Sequence, residues 1–341
     1  MTTHRTMQAA IVDHIDGPFS LVELPVPVPA DGQVLVRIHA SGVNPLDLKI
    51  RAGNAAHAKQ LLPAVLGIDM AGIVVAIGSG VIEFAMGDEV FGMTGGVGGV
   101  QGSLAEFAAV DASLLARKPA ALGMREAAAL PLAFITAWEG LVDRAHVSKD
   151  MRVLIHGGAG SVGYLAIQIA RAFGAQVFTT VSAADAALVL ACGAVAIDRH
   201  LESPEDYLQT HTHGDGFDIV VDTVGGEVLD ASFKSVARFG HVVSALGWGT
   251  HALAPLSFRG GSYSGVFTLL PLLTGIGKEH HGDILREAAR LVDAGKLYPR
   301  VDPERFDLST VAAAHERVGN SRSDGKVVVD LVQQKSRVGH F

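Results

Sequence analysis

A chain of 341 residues is long enough for about two domains, and 49% hydrophobic residues allow each a sizeable core. A net charge of -8 argues against nucleic acid or an anionic membrane as the main partner. The single cysteine, Cys192, lies in an apolar run and reads as a buried, inert thiol; it can form neither an internal disulfide nor a cysteine-rich zinc site, which fits a reducing, cytoplasmic compartment.

Met1 to Ala10 holds no long apolar core, so no signal peptide is expected. The longest membrane-span candidate, Val266 to Ile276, is too short and contains Pro271. Residues 7 to 24 read as short strands joined by a turn at Asp16-Gly17-Pro18. The Pro-Val-Pro-Val-Pro run from Pro25 to Pro29 is extended linker. Val34 to Ala40 alternates as a strand and runs into the loop Ser41 to Asp47. Met70 to Val81 is β-branched and broken by glycine, and Phe84 to Phe91 reads as a turn, then a strand. Gly95 to Gly102 is glycine-rich, yet the alternating run Ser103 to Val110 follows it, and no helix opens there; the segment reads as a flexible loop rather than a phosphate site.

The texture changes near Met124. Arg125 to Val142 is helical in pattern, with a break at Pro131. Strands and helices then alternate over 152–156, 161–173, 176–181, 184–192, 194–198, 217–222, 226–237 and 240–246, which argues for a parallel sheet with crossover helices. The sheet is expected to end around Ser262 to Phe267. A helix over Asp283 to Ala294 follows, then Val301 to Asp307, a helix near Leu308 to Val318 and a strand at Lys326 to Val332.

Arg152 to Arg171 organises this second region. The apolar run Val153 to Ile155 is a buried strand, and Val162, Leu165, Ala166, Ile169 and Phe173 fall at helical spacing. Between them lies Gly158-Ala159-Gly160-Ser161-Val162-Gly163, a G-x-G-x-x-G turn. Gly158 is expected to permit the tight turn, Gly160 to let backbone approach a pyrophosphate, and Gly163 to let helix pack on strand. The free amides and dipole of the helix start attract phosphates.

With Gly32-Gln-Val-Leu-Val-Arg37, Gly42-Val-Asn-Pro-Leu-Asp47, Leu66-Gly-Ile-Asp-Met-Ala-Gly72, Gly87-Asp-Glu-Val-Phe91, Ser103-Leu-Ala-Glu-Phe107 and Gly325-Lys-Val-Val328 in this order, the chain resembles the medium-chain dehydrogenase/reductase superfamily, in its zinc-free quinone-oxidoreductase branch. The resemblance runs nearly end to end. It implies an α/β fold: a Rossmann doubly wound parallel-sheet domain over 129–268, and a β-rich GroES-like catalytic domain over 1–128 and 269–341, with the active site in the cleft between. Where the zinc enzymes resembled here carry a cysteine and a Gly-His-Glu, this chain has Asn44 and Gly67-Ile68-Asp69. No metal is expected on that ligand set. His211, His213, His280 and His281 lie in polar runs that read as loop-like, solvated surface.

The resemblance implies a catalytic set of Asn44, Asp47 and Asp69, with a structural hydrogen bond the other role open to Asp69. Two roles are open to Asn44: orienting the nicotinamide or a substrate oxygen, or forming the turn before Pro45. The coenzyme set is Gly158, Ala159, Gly160, Ser161, Val162 and Gly163 with His156, Thr136, Thr180 and Ser182, then Asp222, Thr223 and Val224, then Ser244, Leu246 and Gly247 at strand ends, and Phe267, Thr268 and Lys326 in stretches that close over the nicotinamide in relatives. Phe178 to Ser182 carries no acid for a ribose 2′-hydroxyl, and Arg199 suits a 2′-phosphate; NADPH is therefore expected over NADH. The expected activity is zinc-independent hydride transfer to a small-molecule quinone or α,β-unsaturated carbonyl, since an electron-poor acceptor needs no Lewis acid. A cytoplasmic homodimer is expected, paired through an edge strand near Gly261 to Phe267. Two rival readings stand beside it: a nucleotide-binding protein without turnover, and an enoyl-thioester reductase of the same fold.

Overall fold

The computed structural model describes residues 5 to 332. The chain opens with strands β1 (Thr6–Val12), β2 (Phe19–Pro25) and β3 (Gln33–Gly42), helix α1 (Pro45–Arg51), strands β4 (Ala64–Val65), β5 (Asp69–Ile77), β6 (Glu89–Met93), β7 (Phe107–Asp111) and β8 (Leu115–Arg117), and helices α2 (Met124–Ala128) and α3 (Pro131–Trp138). Strand and helix then alternate: β9 (Arg152–His156), α4 (Ser161–Ala172), β10 (Gln176–Val181), α5 (Ala186–Ala191), β11 (Val195–Asp198), α6 (Pro204–Thr212), β12 (Phe217–Asp222), α7 (Glu227–Ser235), β13 (Val236–Ser244), α8 (Ala254–Ser257) and β14 (Ser262–Gly265). The chain returns through α9 (Leu270–Thr274), α10 (Lys278–Asp293), β15 (Phe306–Asp307), α11 (Val311–Gly319) and β16 (Val328–Asp330).

These elements form two compact units. Among the described residues, one contains 5–132, 269–293 and 299–332, and the other 133–268 and 294–298.

The first unit is β-rich. Its larger sheet has the order β15-β16-β3-β5-β6-β8, with β7 on β3, and β2-β1-β4 form a smaller sheet. Three strand ends meet at Gly42, which pairs antiparallel with Asp69 of β5 and with Val328 of β16. A Cβ at Gly42 would lie 2.3 Å from the Ala128 carbonyl oxygen, so only glycine lets α2 close on this junction.

The second unit is a six-stranded parallel sheet of order β11-β10-β9-β12-β13-β14. This is the doubly wound dinucleotide order, whose ligands bind beyond the carboxyl ends of the strands. Leu154, Phe178, Val220 and Val242 from its strands are buried with Phe233 of α7, as expected of strands covered on both faces. Near its start, α3 leads into a π-helical turn over Glu139–Arg144. There the Ala145 N–H reaches five residues back to the Gly140 carbonyl, at 3.0 Å.

Several sequence expectations need correction. Pro45–Arg51 is a helix, not loop: Asn44 precedes it, Pro45 takes the first turn and the Asp47 carboxylate accepts the Asn44 N–H at 2.8 Å. His211 lies on α6, started by Ser203 with a reciprocal Asp206 contact, and is not in a loop. His281 is fully buried in α10, which begins at Lys278 rather than Asp283. The stretch from Gly95 to Gly102 is packed at both ends, with Gly98, Gly99 and Val100 exposed between them. Thr94 and Val97 are buried, and Cβ atoms at Gly95 and Gly102 would strike the Gln101 and Leu66 carbonyls at 2.0 and 2.3 Å. Gly95, Gly96 and Gly102 serve close backbone packing, whereas Gly99 faces open space. Cys192 is half-buried, and burial pushes its thiol above its ordinary range, which keeps it protonated.

Candidate active site

In the second unit, β9 ends at His156 and α4 begins at Ser161. The left-handed residue of the intervening turn is Gly157, with φ of 78°, so the tight-turn role expected of Gly158 moves back by one position. Gly158 is needed for another reason: a Cβ there would sit 2.1 Å from the Thr179 hydroxyl. At Gly163 a Cβ would meet the Gly157 carbonyl at 2.2 Å, which holds the helix close to the turn. At Gly160, the N-cap of α4, the nearest atom is 3.4 Å away. Its outward side is therefore open, and the amides that begin α4, with Ala159, Ser161 and Val162 around them, form a cradle that a side chain would fill.

His156 is buried beside this turn. Its Nδ1 lies 3.0 Å from the Thr180 hydroxyl, and its Nε2 has no hydrogen-bond partner. Burial lowers its pKa to about 4, against the opposing pull of Asp222, so the ring is neutral at pH 7. The Thr223 hydroxyl donates to the His156 carbonyl at 2.7 Å. Asp222 is fully buried and ties two strand ends together. Its Oδ1 accepts the N–H groups of Val224 and Gly225 at 2.9 Å each, and its Oδ2 accepts the Ser244 hydroxyl at 2.7 Å. Ser244 Oγ accepts the Leu246 N–H at 3.0 Å. Gly247 leaves room for the Tyr263 hydroxyl, which would lie 2.1 Å from a Cβ there. The loops after β12 and β13 are thus fixed by one buried carboxylate. Thr136 and Thr268 are 3.1 Å apart through their hydroxyls, and Thr268 donates to Glu139 at 3.0 Å. Phe267, just before, is part-exposed.

At the end of β10, the Ser182 hydroxyl donates to Asp185 at 2.6 Å. This acid lies outside the Phe178 to Ser182 window read for a ribose acceptor; the spacing Ser-x-x-Asp, a helix-start pattern, is the signal that points to it. Beside it, Val181 pairs with Asp198 and accepts the Arg199 N–H at 3.0 Å. The exposed Arg199 side chain leans on His200, with Nε 3.3 Å from the imidazole Nε2.

In the first unit, Asn44, Asp47 and Asp69 come together with Lys326 in one buried polar network. Asn44 Nδ2 donates to Asp69 Oδ2 at 2.9 Å, and Lys326 Nζ donates to Asn44 Oδ1. Lys326 Nζ also donates to Asp69 Oδ2 at 3.2 Å. Asp69 Oδ1 accepts the Leu132 N–H at 2.8 Å, and its backbone carbonyl accepts Ser103 Oγ at 2.9 Å. Lys326 is turned inward by Gly325, whose φ of 122° lets the chain run against Arg300, with the Lys326 N–H donating to the Arg300 carbonyl at 2.8 Å. Burial raises the pKa of Asp47 to about 7; Asp69 adds to the rise, while the Asn44 N–H and Lys326 oppose it. Such a group exchanges a proton at neutral pH, and Asp47 Oδ1 has no partner of good geometry within the described chain.

The chain matches two family profiles. One is described as an alcohol dehydrogenase GroES-like domain, over residues 30–120, and the other as a zinc-binding dehydrogenase, over residues 194–329. The fold superposes with a TM-score of 0.95 on a crystal structure of an alcohol dehydrogenase superfamily protein from Novosphingobium aromaticivorans, at 58% identity over 96% of this chain and all of that one. The chain is 37% identical to the chloroplastic NADPH-dependent alkenal/one oxidoreductase of Arabidopsis thaliana, covering 89% of this chain and 73% of that protein. It is 30% identical to the quinone oxidoreductase of Homo sapiens over 97% of this chain and 99% of that protein.

Proposed function

The chain belongs to the medium-chain dehydrogenase/reductase superfamily, in its quinone-oxidoreductase-like branch, and from that membership we propose that it is an NADPH-dependent, metal-independent reductase of quinones or α,β-unsaturated carbonyls. The observation that carries this reading is the open backbone cradle at Gly160, at the start of α4 on a sheet of dinucleotide order. The residues present fit the coenzyme: the cradle would hold the pyrophosphate, and the unpartnered His156 Nε2 is a buried polar atom beside it.

Bound NADPH would supply a hydride to the β-carbon of an enone or to a quinone, with a proton taken up from solvent to complete the reduced product. Thr136, Thr268 and the Asp222-anchored loops of Val224, Ser244 and Leu246 would orient the coenzyme, and Arg199 would meet a 2′-phosphate. Asn44, Asp47 and Asp69 would form a fixed polar wall for the substrate. The NADPH preference rests on Arg199 and on the cofactor named for the Arabidopsis relative.

We also propose a homodimer. Strand β14 ends the sheet order with β13 on one side, and Tyr263 is part-exposed on it, so its free edge suits pairing with a second copy. A monomeric mass by light scattering would remove that idea. The single cysteine supports a cytoplasmic compartment; among the described residues no helix is long and apolar enough to cross a membrane.

The test is loss of reduced-nicotinamide absorbance with chelator-treated protein and a quinone, an enone, an enoyl thioester or a saturated aldehyde, each with NADPH and NADH. Turnover of quinone or enone, with little of aldehyde, supports the proposal. Tight NADPH binding with no turnover favours a binding protein, and preference for the thioester favours an enoyl reductase. Activity that returns only with zinc refutes metal independence.

A further inference from the structure

One of the matching family profiles carries zinc in its description, yet the buried network around Asn44 and Asp69 does not fit that ion. Catalytic zinc takes three protein donors drawn from thiolate, neutral imidazole and carboxylate, and keeps a fourth position open. The hydrogen-bonded members here are an amide, two carboxylates and an ammonium. All but one of their acceptor atoms are already committed: Asn44 Oδ1 and Asp69 Oδ2 to Lys326, Asp69 Oδ1 to the Leu132 N–H and Asp47 Oδ2 to the Asn44 N–H, which leaves Asp47 Oδ1 as a single donor, too few to hold the ion. A divalent ion bound to Asn44 Oδ1 and Asp69 Oδ2 would need the space that Lys326 Nζ fills, and the buried ammonium would repel it across little intervening water. Lys326 is itself well fixed: its side chain is only 4% exposed and passes Gly42, where a Cβ would meet its Cε at 3.1 Å.

We propose that Lys326 is the built-in cation of this centre: its ammonium stands where a metal would have to sit, excludes a divalent ion and clamps the Asn44 amide in one orientation. The clamp follows from the donors. Lys326 gives a proton to Oδ1, and Nδ2 gives one to Asp69, so the amide cannot flip without facing donor to donor. Lys326 is thus a positioning residue whose charge comes with the chain and does not vary with metal supply. Removing it should leave the Asp69 carboxylate and the Asn44 amide oxygen facing a vacancy, with the Asp47 carboxylate held on the Asn44 N–H nearby, which is a cation site.

The test is cobalt(II) titration of the full-length protein, followed by visible absorption, metal count after dialysis and Tm. The variants are Lys326→Ala, Lys326→Leu, which keeps more of the stem volume, and Lys326→Arg. Wild type and Lys326→Arg should retain no cobalt at this centre. Lys326→Ala or Lys326→Leu should retain about one per chain, and cobalt should raise their Tm by about 5 °C while leaving wild type unchanged. Adding Asp69→Asn should abolish that uptake. Wild-type protein that binds one cobalt sensitive to Asp69→Asn would overturn the proposal, as would a folded Lys326→Ala or Lys326→Leu that binds none. These readouts do not depend on turnover, so failure of the reductase reading would leave them intact.

Discussion

The two candidate sites are built from opposite materials. The glycine turn of the second unit works through backbone: open amides, a carbonyl at 2.2 Å from an absent Cβ, and a helix start. The network of the first unit works through side chains, joining Lys326 to Asn44 across 282 positions of sequence and to Asp69 across 257. A backbone site fails when atoms are added to it. A side-chain network fails when charge is removed from it, because each member has been desolvated on account of its partners.

The largest effect should therefore come from breaking the ion pair. Asp69→Ala strands the Lys326 ammonium in a buried position and should cost about 3–5 kcal/mol of unfolding free energy at neutral pH. Denaturant titration reads this directly, and a loss within 1 kcal/mol would mean that water reaches the ammonium.

Asp47 tests the same network through pH. An aspartate ordinarily titrates near 3.8 and Asp47 near 7, so between those values the folded chain keeps a proton that the unfolded chain has released. Its stabilising contribution is full below pH 3.8 and is lost as pH rises to about 7. That difference corresponds to on the order of 4 kcal/mol. His156 and His315, held by burial at about 4 and about 3, run the other way: their contribution is full above 6.5 and is lost as pH falls. Asp47→Asn should leave the histidine slope unopposed. Its Tm should gain on wild type steadily from pH 4 to 7, and parallel profiles would contradict the raised Asp47 pKa.

Adding atoms to the backbone site should cost less stability but more binding. Gly163→Ala drives a methyl into the Gly157 carbonyl and should destabilise by about 1–3 kcal/mol, with NADPH affinity falling at least tenfold. Gly160→Ala has ordinary contacts, so Tm should hardly move while NADPH affinity still falls. Equal effects of the two substitutions in thermal melts and coenzyme titrations would break the distinction between a packed and an open glycine.

The same contrast explains what could be read in advance. The turn from Gly158 to Gly163 is contiguous, and the alternation of strands and helices around it announces a parallel sheet, so both are legible. Even there, Gly157 rather than Gly158 carries the positive φ, because a motif names residue types without naming dihedrals. Asn44, Asp47 and Asp69 are legible through resemblance alone, as positions in an order. Lys326, which the resemblance directs toward the coenzyme, has Asn44 and Asp69 as its observed partners; no local pattern encodes an ion pair between the two ends of a domain. The helix at Pro45 and the buried His281 were obscured for a related reason, since burial depends on what packs over an element.

The smallest effect concerns coenzyme choice, and it turns on two charges past the ends of neighbouring strands β10 and β11. Arg199 would favour a 2′-phosphate, whereas Asp185, held by the Ser182 hydroxyl at 2.6 Å, would repel one and could accept a ribose hydroxyl. A partly screened charge at such a site is worth about 1 kcal/mol, or roughly fivefold in binding. Asp185→Asn should raise the ratio of NADPH to NADH in kcat/KM by about that factor, and Arg199→Ala should lower it similarly, with neither changing Tm much. If Arg199→Ala leaves the ratio untouched while Asp185→Asn raises it, the 2′-phosphate is held by backbone and hydroxyl groups near Ser182. Coenzyme choice would then belong with the backbone site rather than with a surface charge.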